Sequence, residues 1–166
     1  MDRAALLELS DYLEWAWIQY AAPIEAAGTK ALTGDAPGSG WPALRDCFEH
    51  FLSSYDDWVA DLTGTSMIAP DGITFTSWQE VLDYRQRVRA LFHSYLDSID
   101  DAELHRVRPL DVDGEPIEYT PGEVLTNTLL HERGHHGDLT TLMYQLGIEI
   151  PWIDHRFYVM AKRGYN

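Results

Sequence analysis

The stretch TPGEVLTNTLLHERGHHGDLTTLMYQLG, residues 120–147, decides the fold of this chain because it carries both ends of one long helix. Thr120 and Glu123 have the spacing of a capping box, in which each side chain accepts a hydrogen bond from the other residue's backbone N–H. Gly147 is a stop signal, because glycine readily adopts the left-handed conformation that ends helices. The stretch therefore predicts a helix over residues 120–146.

Three earlier stretches also place apolar residues at helical spacing. The first is followed by Gly28, a C-cap signal, and the third opens with a second capping box, Ser77-Trp-Gln-Glu80. Segments rich in turn residues, 34–40 and 65–76, separate the three. The predicted helices cover about residues 2–27, 42–63 and 77–99.

The segment 106–119 is different, because short apolar runs flank the turn signal Asp113-Gly114. It predicts a short β-hairpin or loop before the last long helix. The aromatic tail, residues 152–165, is expected to pack back on the helices. Four long helices with so little strand predict an all-α protein, a four-helix bundle that forms a single domain over residues 1–166.

The composition excludes several classes of function. The chain has 27 acidic and 12 basic residues, a net charge of −15, and no basic stripe that would follow a phosphate backbone. No apolar run is long enough to span a bilayer, and the first residues lack the pattern of a secretory signal. Cys47 is the single cysteine, so no intrachain disulfide can form, which is usual in a reducing cytoplasm. We therefore expect a cytoplasmic protein that binds neither nucleic acid nor a membrane.

Two of the seven histidines give the strongest chemical signal. His131 and His135 lie four residues apart in the last helix, so their imidazoles share one face, about one turn apart, and both can reach one metal ion. Asn127 lies one turn before this pair and Asp138 one turn after it, where either can orient an imidazole. The alternative is that the two histidines form a surface pair without a metal.

Spacing alone does not identify a third metal ligand. His50 borders the apolar stripe of the second helix, where a lone histidine more often belongs to the core or its rim. Cys47, one turn earlier, is a candidate neighbour of the site, although a single cysteine in an apolar stripe is more often a small buried hydrophobe. Glu132 and Asp138 are candidates for a general base.

The string HERGH, residues 131–135, also matches the HExxH motif of zinc proteases, in which Glu132 would activate a water. Such a protease needs a third ligand downstream, and Glu149, Asp154 and His155 do not stand at the spacing of HExxHxxGxxH. It also usually carries a substrate-binding sheet before the helix, for which this chain offers one weak hairpin. The protease interpretation is therefore disfavoured.

These motifs together resemble the DinB/YfiT-like superfamily of metal-dependent four-helix-bundle proteins. The family pattern in the last helix is a Thr or Ser start, His-x-x-x-His, a glycine, a polar residue, an aliphatic and a closing Leu-Gly, which residues 120–147 match. A second block, residues 44–64, has His50 and Trp58 where the family places a metal-binding histidine and a later aromatic residue. The resemblance covers nearly the whole chain.

The resemblance implies a divalent metal ion held by His50, His131 and His135. His136 stands where many members have Arg or Lys, and it points about 100° away from His135 on the helix, so we leave it outside the ligand set. Three neutral imidazoles leave the ion open positions, which is typical of a catalytic site. Nitrogen ligands suit Zn, Ni, Fe or Co and do not choose among them.

The resemblance also implies a chemistry, since characterised members include transferases and isomerases that use low-molecular-weight thiols such as mycothiol or bacillithiol. The leading hypothesis is an enzyme whose metal favours the reactive thiolate, which attacks a small-molecule electrophile. A hydrolase that uses a metal-activated water is the second hypothesis, and a metal- or ligand-binding protein without turnover is the third. Family members often pair, so a homodimer is expected.

Overall fold

The structure is a computed structural model that describes residues 1–36, 40–112 and 114–165. Four of its helices are long, which confirms the prediction of an all-α bundle with a small hairpin. In chain order the elements are α1 (Arg3–Ala27), α2 (Thr29–Thr33), α3 (Leu44–Thr63), α4 (Trp78–Ser98), α5 (Asp101–Leu104), β1 (Arg108–Val112), β2 (Glu115–Tyr119), α6 (Pro121–Gln145) and α7 (His155–Lys162).

Helix α6 is fixed at both ends by the signals found in the sequence. Thr120 Oγ1 accepts from the Glu123 N–H at 3.2 Å, and Glu123 Oε2 accepts from the Thr120 N–H at 2.8 Å, so the capping box is complete. At the other end Gly147 has a φ of +69°, and the Ile148 N–H donates to the Met143 carbonyl at 2.9 Å. This six-to-one bond is that of a Schellman motif, in which glycine avoids the strain of a positive φ.

The core holds α3 between α6 and α4, and α1 packs on α6 and also contacts α4. Aromatic rings fill the space between the helices: Trp17 stacks on Trp78 at 5.8 Å, and Phe48 meets each of these rings at 5.5 Å. Their burial contributes through the hydrophobic effect and through ring contacts. Because α3 and α6 are direct neighbours, the predicted ligands on these two helices can meet.

Two short helices were not expected from the sequence. Helices α2 and α5 have five and four residues, too few for apolar periodicity to show. The tail packs back as expected and forms a third, α7, whose Tyr158 is buried against Tyr12 with ring centroids 5.7 Å apart. The Tyr12 hydroxyl also donates to the Ile153 carbonyl at 2.7 Å, which ties the tail to α1.

The predicted hairpin is present as an antiparallel pair, with Arg108 opposite Tyr119. Gly114 has a φ of +84°, whereas Asp113 of the predicted turn lies outside the described residues, as do residues 37–39 of the predicted connection 34–40. Within the part of the chain that the structure describes, no helix is both long and apolar enough to cross a membrane.

Candidate metal centre

Helices α3 and α6 bring three histidines together. His50 comes from α3, and His131 and His135 come from consecutive turns of α6. One ligand nitrogen from each lies within 4.8 Å of the other two. The ring centroids are 5.0 Å apart for His50 and His131, 4.8 Å for His50 and His135, and 4.4 Å for the pair on α6. These are the three residues that the resemblance selects; that they bind a metal stays a prediction.

Aromatic side chains surround the three imidazoles. Trp41 lies 5.0 Å from the His50 ring, and Trp58 lies 5.0 Å from the His131 ring. Phe51 stacks on His135 at 6.0 Å with 15° between the planes. These rings cover part of the two half-buried histidines, His131 and His135, whereas His50 itself is exposed.

Desolvation and the neighbouring imidazoles lower the pKa of two of these histidines, His131 and His50. Desolvation is the main cause that lowers the pKa of His131, to about 4, and the nearby His135 and His50 lower it further. The pKa of His50 is lowered too, first by desolvation and then by His135. Neutral imidazoles keep a lone pair free at neutral pH, which is the form that coordinates a metal.

Acidification is expected to destabilise the metal-free protein between about pH 6.5 and pH 4. The pKa of His131 is about 4 in the folded protein, against about 6.5 for histidine in an unfolded chain. In this interval the unfolded state binds a proton that the folded state does not, so the free energy of unfolding falls as the pH falls. Urea denaturation with a chelator at pH 7, 6 and 5 measures this loss. On acidification, His131→Gln is expected to lose less stability than wild type, whereas the control His105→Gln should lose as much as wild type. If His131→Gln loses as much stability as wild type, His131 is not the source of the acid sensitivity.

Asp138 orients His135. Its Oδ2 lies 2.8 Å from His135 Nδ1 and also accepts a hydrogen bond from Trp41 Nε1 at 3.0 Å. A carboxylate in this position holds the ring proton on Nδ1 and leaves Nε2 as the metal ligand. The sequence predicts this role for Asp138 from helical spacing, but it gives no signal for Trp41, which precedes α3 and reaches the site only in the folded chain.

Two other candidate residues point elsewhere. Asn127 is exposed, and among the described residues no hydrogen bond joins it to a histidine. Glu132 is buried: its Oε2 accepts a hydrogen bond from the Tyr55 hydroxyl and lies 3.7 Å from Arg89 Nη1. Burial alone would raise the pKa of Glu132, but contacts with His136 and Arg89 outweigh it and lower the pKa. The Glu132 carboxylate is thus committed to the core, and its proposed role as a general base has no supporting contact with the three imidazoles.

Cys47 is fully buried one turn before His50. Its sulfur and one ligand atom each of His135 and Asp138 lie within 4.8 Å of one another. Burial, with smaller contributions from Asp138 and Asp46, raises the pKa of the thiol. The thiol is therefore protonated at neutral pH unless a cation displaces the proton.

The remaining histidines do not join this cluster. His136 is buried on another face of α6, where its Nε2 lies 3.7 Å from Glu132 Oε1. His93 contacts Ser10, and His155 packs on Tyr12. Among the described residues, His50, His131 and His135 are the only histidines whose ring nitrogens lie together as possible ligands of one ion.

Comparison with known proteins identifies the family and the fold of the chain. A family model described as the DinB family matches residues 1–164. The chain is also similar to the crystal structure of a DinB-like protein from Bacillus cereus ATCC 10987, with a TM-score of 0.61 and 20% sequence identity over 84% of this chain and 94% of that one. At this identity the second likeness shows the fold alone. No curated protein matches the chain significantly.

Proposed function

The chain belongs to the DinB family, and we propose that its three clustered histidines hold one divalent transition-metal ion in a catalytic site. The reaction we propose is the transfer of a low-molecular-weight thiol to a small electrophile, or an isomerisation that uses such a thiol. The observation that carries this proposal is the convergence of ligand nitrogens from His50, His131 and His135 to within 4.8 Å of one another.

The three residues fit such an ion. Metal–nitrogen bonds of about 2.0–2.1 Å keep two nitrogens on one ion within about 4.2 Å of each other. Separations of at most 4.8 Å therefore close with small rotations of the side chains. Neutral imidazoles, one of them oriented by Asp138, suit Zn, Ni or Fe.

A bound divalent ion would act as a Lewis acid that favours the deprotonated, nucleophilic form of a thiol. The residues of the chain contribute position and environment. Asp138 fixes the His135 tautomer, while Trp41 and Trp58 place half-buried indole rings beside the imidazoles. Such rings suit a small substrate with an apolar part.

The carboxylates favour thiol chemistry over hydrolysis. Hydrolysis usually requires a general base to take a proton from water. Both acidic residues that the sequence offers for this role are engaged, Glu132 with Tyr55 and Asp138 with His135. A cation lowers the pKa of either nucleophile, but a thiol starts from about 8.5 and water from about 15.7, so the thiol needs the smaller shift.

The test is a thiol screen with metal-loaded protein and a chloro-dinitrobenzene-type electrophile, using mycothiol, bacillithiol and cysteine as separate thiols. We expect turnover that depends on one thiol and falls at least about 100-fold in His50→Ala, because loss of the metal leaves the attacking thiol without the cation that lowers its pKa. His105→Ala, which removes a histidine outside the cluster, should keep full activity.

Other outcomes overturn the proposal in distinct ways. Ester hydrolysis that needs no added thiol would favour a hydrolase, and metal binding without either activity would favour a binding protein. Cleavage of casein that is lost in Glu132→Gln would restore the zinc-protease interpretation.

A further inference from the structure

A second set of ligand atoms lies beside the three histidines and shares one of them. It consists of Cys47, His135 and Asp138, whose sulfur, nitrogen and oxygen atoms lie within 4.8 Å of one another. Two of its three members are absent from the histidine cluster. The set therefore has its own donor chemistry, with one soft thiolate, one imidazole and one carboxylate.

The charges of the two sets differ. Three neutral imidazoles leave the charge of a divalent ion uncompensated, whereas a thiolate and a carboxylate together neutralise it. In a partly buried position this neutralisation is favourable, because an uncompensated charge in a low dielectric is costly. Thiolate ligands also select thiophilic ions such as Cu(I) and, among divalent ions, Zn and its heavier relative Cd.

The exposure of the three side chains decreases from the surface to the core, which defines a direction of entry for an ion. The Asp138 side chain is 45% exposed, the His135 side chain is 13% exposed, and Cys47 is fully buried. A cation thus meets the carboxylate first and the sulfur last. The carboxylate oxygen already faces His135 Nδ1 at 2.8 Å, so the ion takes the place of the proton between them.

The shared imidazole makes the two sets alternatives. A neutral imidazole has one nitrogen with a free lone pair and one N–H. When Asp138 holds the proton on Nδ1, Nε2 serves the histidine cluster; when a cation occupies Nδ1, the proton moves to Nε2 and the cluster loses its third ligand. Binding at the second set also releases the Cys47 thiol proton to solvent.

We propose that Cys47, His135 and Asp138 form a second metal site that takes a thiophilic cation, and that its occupation excludes an ion from the three-histidine cluster. The second site itself does not depend on the proposed function, because its ligand set lacks His50 and His131. The exclusion rests on the proposed function, since it requires the three-histidine cluster to bind an ion. It predicts that the softness of the ion decides which ligands the protein uses.

The experiment titrates Ni(II)-loaded protein with Cd(II). We expect Ni(II) to leave one for one as a thiolate-to-cadmium charge-transfer band appears in the ultraviolet, with about one ion bound per chain throughout. His50→Ala should bind no Ni(II) but keep the Cd(II) band. Cys47→Ser should bind Ni(II) as wild type does and should show no Cd(II) band. Cys47→Ala should behave in the same way, and thermal melting of both variants checks that they fold.

Three results would overturn the second site. One is Cd(II) binding without a thiolate band in both wild type and His50→Ala. Another is simultaneous binding of Ni(II) and Cd(II) with the band present, which would refute exclusion. The third concerns the double variant His50→Ala/Asp138→Asn, which we expect to bind Cd(II) more weakly than His50→Ala by a factor on the order of tenfold or more. An equal Cd(II) affinity in the two variants would contradict a role for Asp138. If the three-histidine metal site of the proposed function fails and the second site holds, Cys47→Ser binds no Ni(II), whereas His50→Ala still shows the Cd(II) band.

Discussion

Replacing His131 with Ala is expected to reduce bound Ni(II) from about one ion per chain to almost none, while the helix content stays unchanged. His131 contributes one of three ligand nitrogens that lie within 4.8 Å of one another, and two imidazoles cannot hold the ion comparably. Loss of a group that merely orients a ligand costs 10- to 100-fold in affinity, so loss of a ligand should cost about 100-fold or more. Inductively coupled plasma mass spectrometry after desalting gives the metal content.

The controls separate coordination from folding. His105→Ala removes a histidine outside the cluster and should keep one Ni(II) per chain. Because the folded protein already holds His131 neutral and half-buried, alanine there should not lower the thermal midpoint of the metal-free protein by much. Stoichiometric Ni(II) in well-folded His131→Ala would refute the three-histidine site.

The long helices were predictable because their ends are encoded locally. The capping boxes at Ser77 and Thr120 and the glycine at position 147 act within a few residues of sequence. The short helices α2 and α5 were not predictable, because one turn gives no periodicity and their position depends on how the long helices pack.

The candidate site also contains residues that local sequence predicts and residues that it does not. Helical spacing alone pairs His131 with His135 and places Asp138 beside them. His50 lies far away in the chain, so only the family resemblance selects it before the fold is known. The contact of Trp41 with Asp138 joins the segment before α3 to α6, and no local pattern in the sequence encodes it.

Glu132 shows how a motif can mislead. In the string HERGH it occupies the position of a catalytic base, yet its partners Tyr55 and Arg89 come from α3 and α4 and enclose it in the core. A helix turns about 100° per residue, so a residue next to a ligand faces a different neighbour. The sequence does not show whether that neighbour is solvent, a metal or a buried arginine.

Arg89 lies at the centre of the buried polar cluster that encloses Glu132. Its Nη1 donates to the Tyr55 hydroxyl at 2.9 Å, its Nη2 donates to Ser10 Oγ at 2.7 Å, and its Nε lies 3.5 Å from a Glu14 carboxylate oxygen. With Glu132 at 3.7 Å, the arginine connects α4 to α1, α3 and α6. Both Arg89 and Glu132 are almost fully buried, so neither charge has water to replace its partner.

Arg89→Met is therefore expected to lower the free energy of unfolding by about 3–5 kcal/mol, the usual cost of leaving one member of a buried ion pair alone. Urea denaturation at pH 7 measures the change. Arg87→Met, at an exposed position on the same helix, should change stability by less than about 0.5 kcal/mol. A loss for Arg89→Met as small as that of Arg87→Met would contradict the ion-pair assignment.

The double variant Arg89→Met/Glu132→Leu distinguishes two causes of this loss of stability: an uncompensated charge on Glu132 and poorer packing around residue 89. If the cost of Arg89→Met comes from the uncompensated Glu132 carboxylate, removing that carboxylate should restore much of the stability, because apolar groups often replace a buried ion pair without loss. If the cost came from packing around the guanidinium, the second substitution would add to the first. Retention of about one Ni(II) per chain in the double variant would further show that Glu132, although next to His131, stabilises the bundle and takes no part in holding the ion.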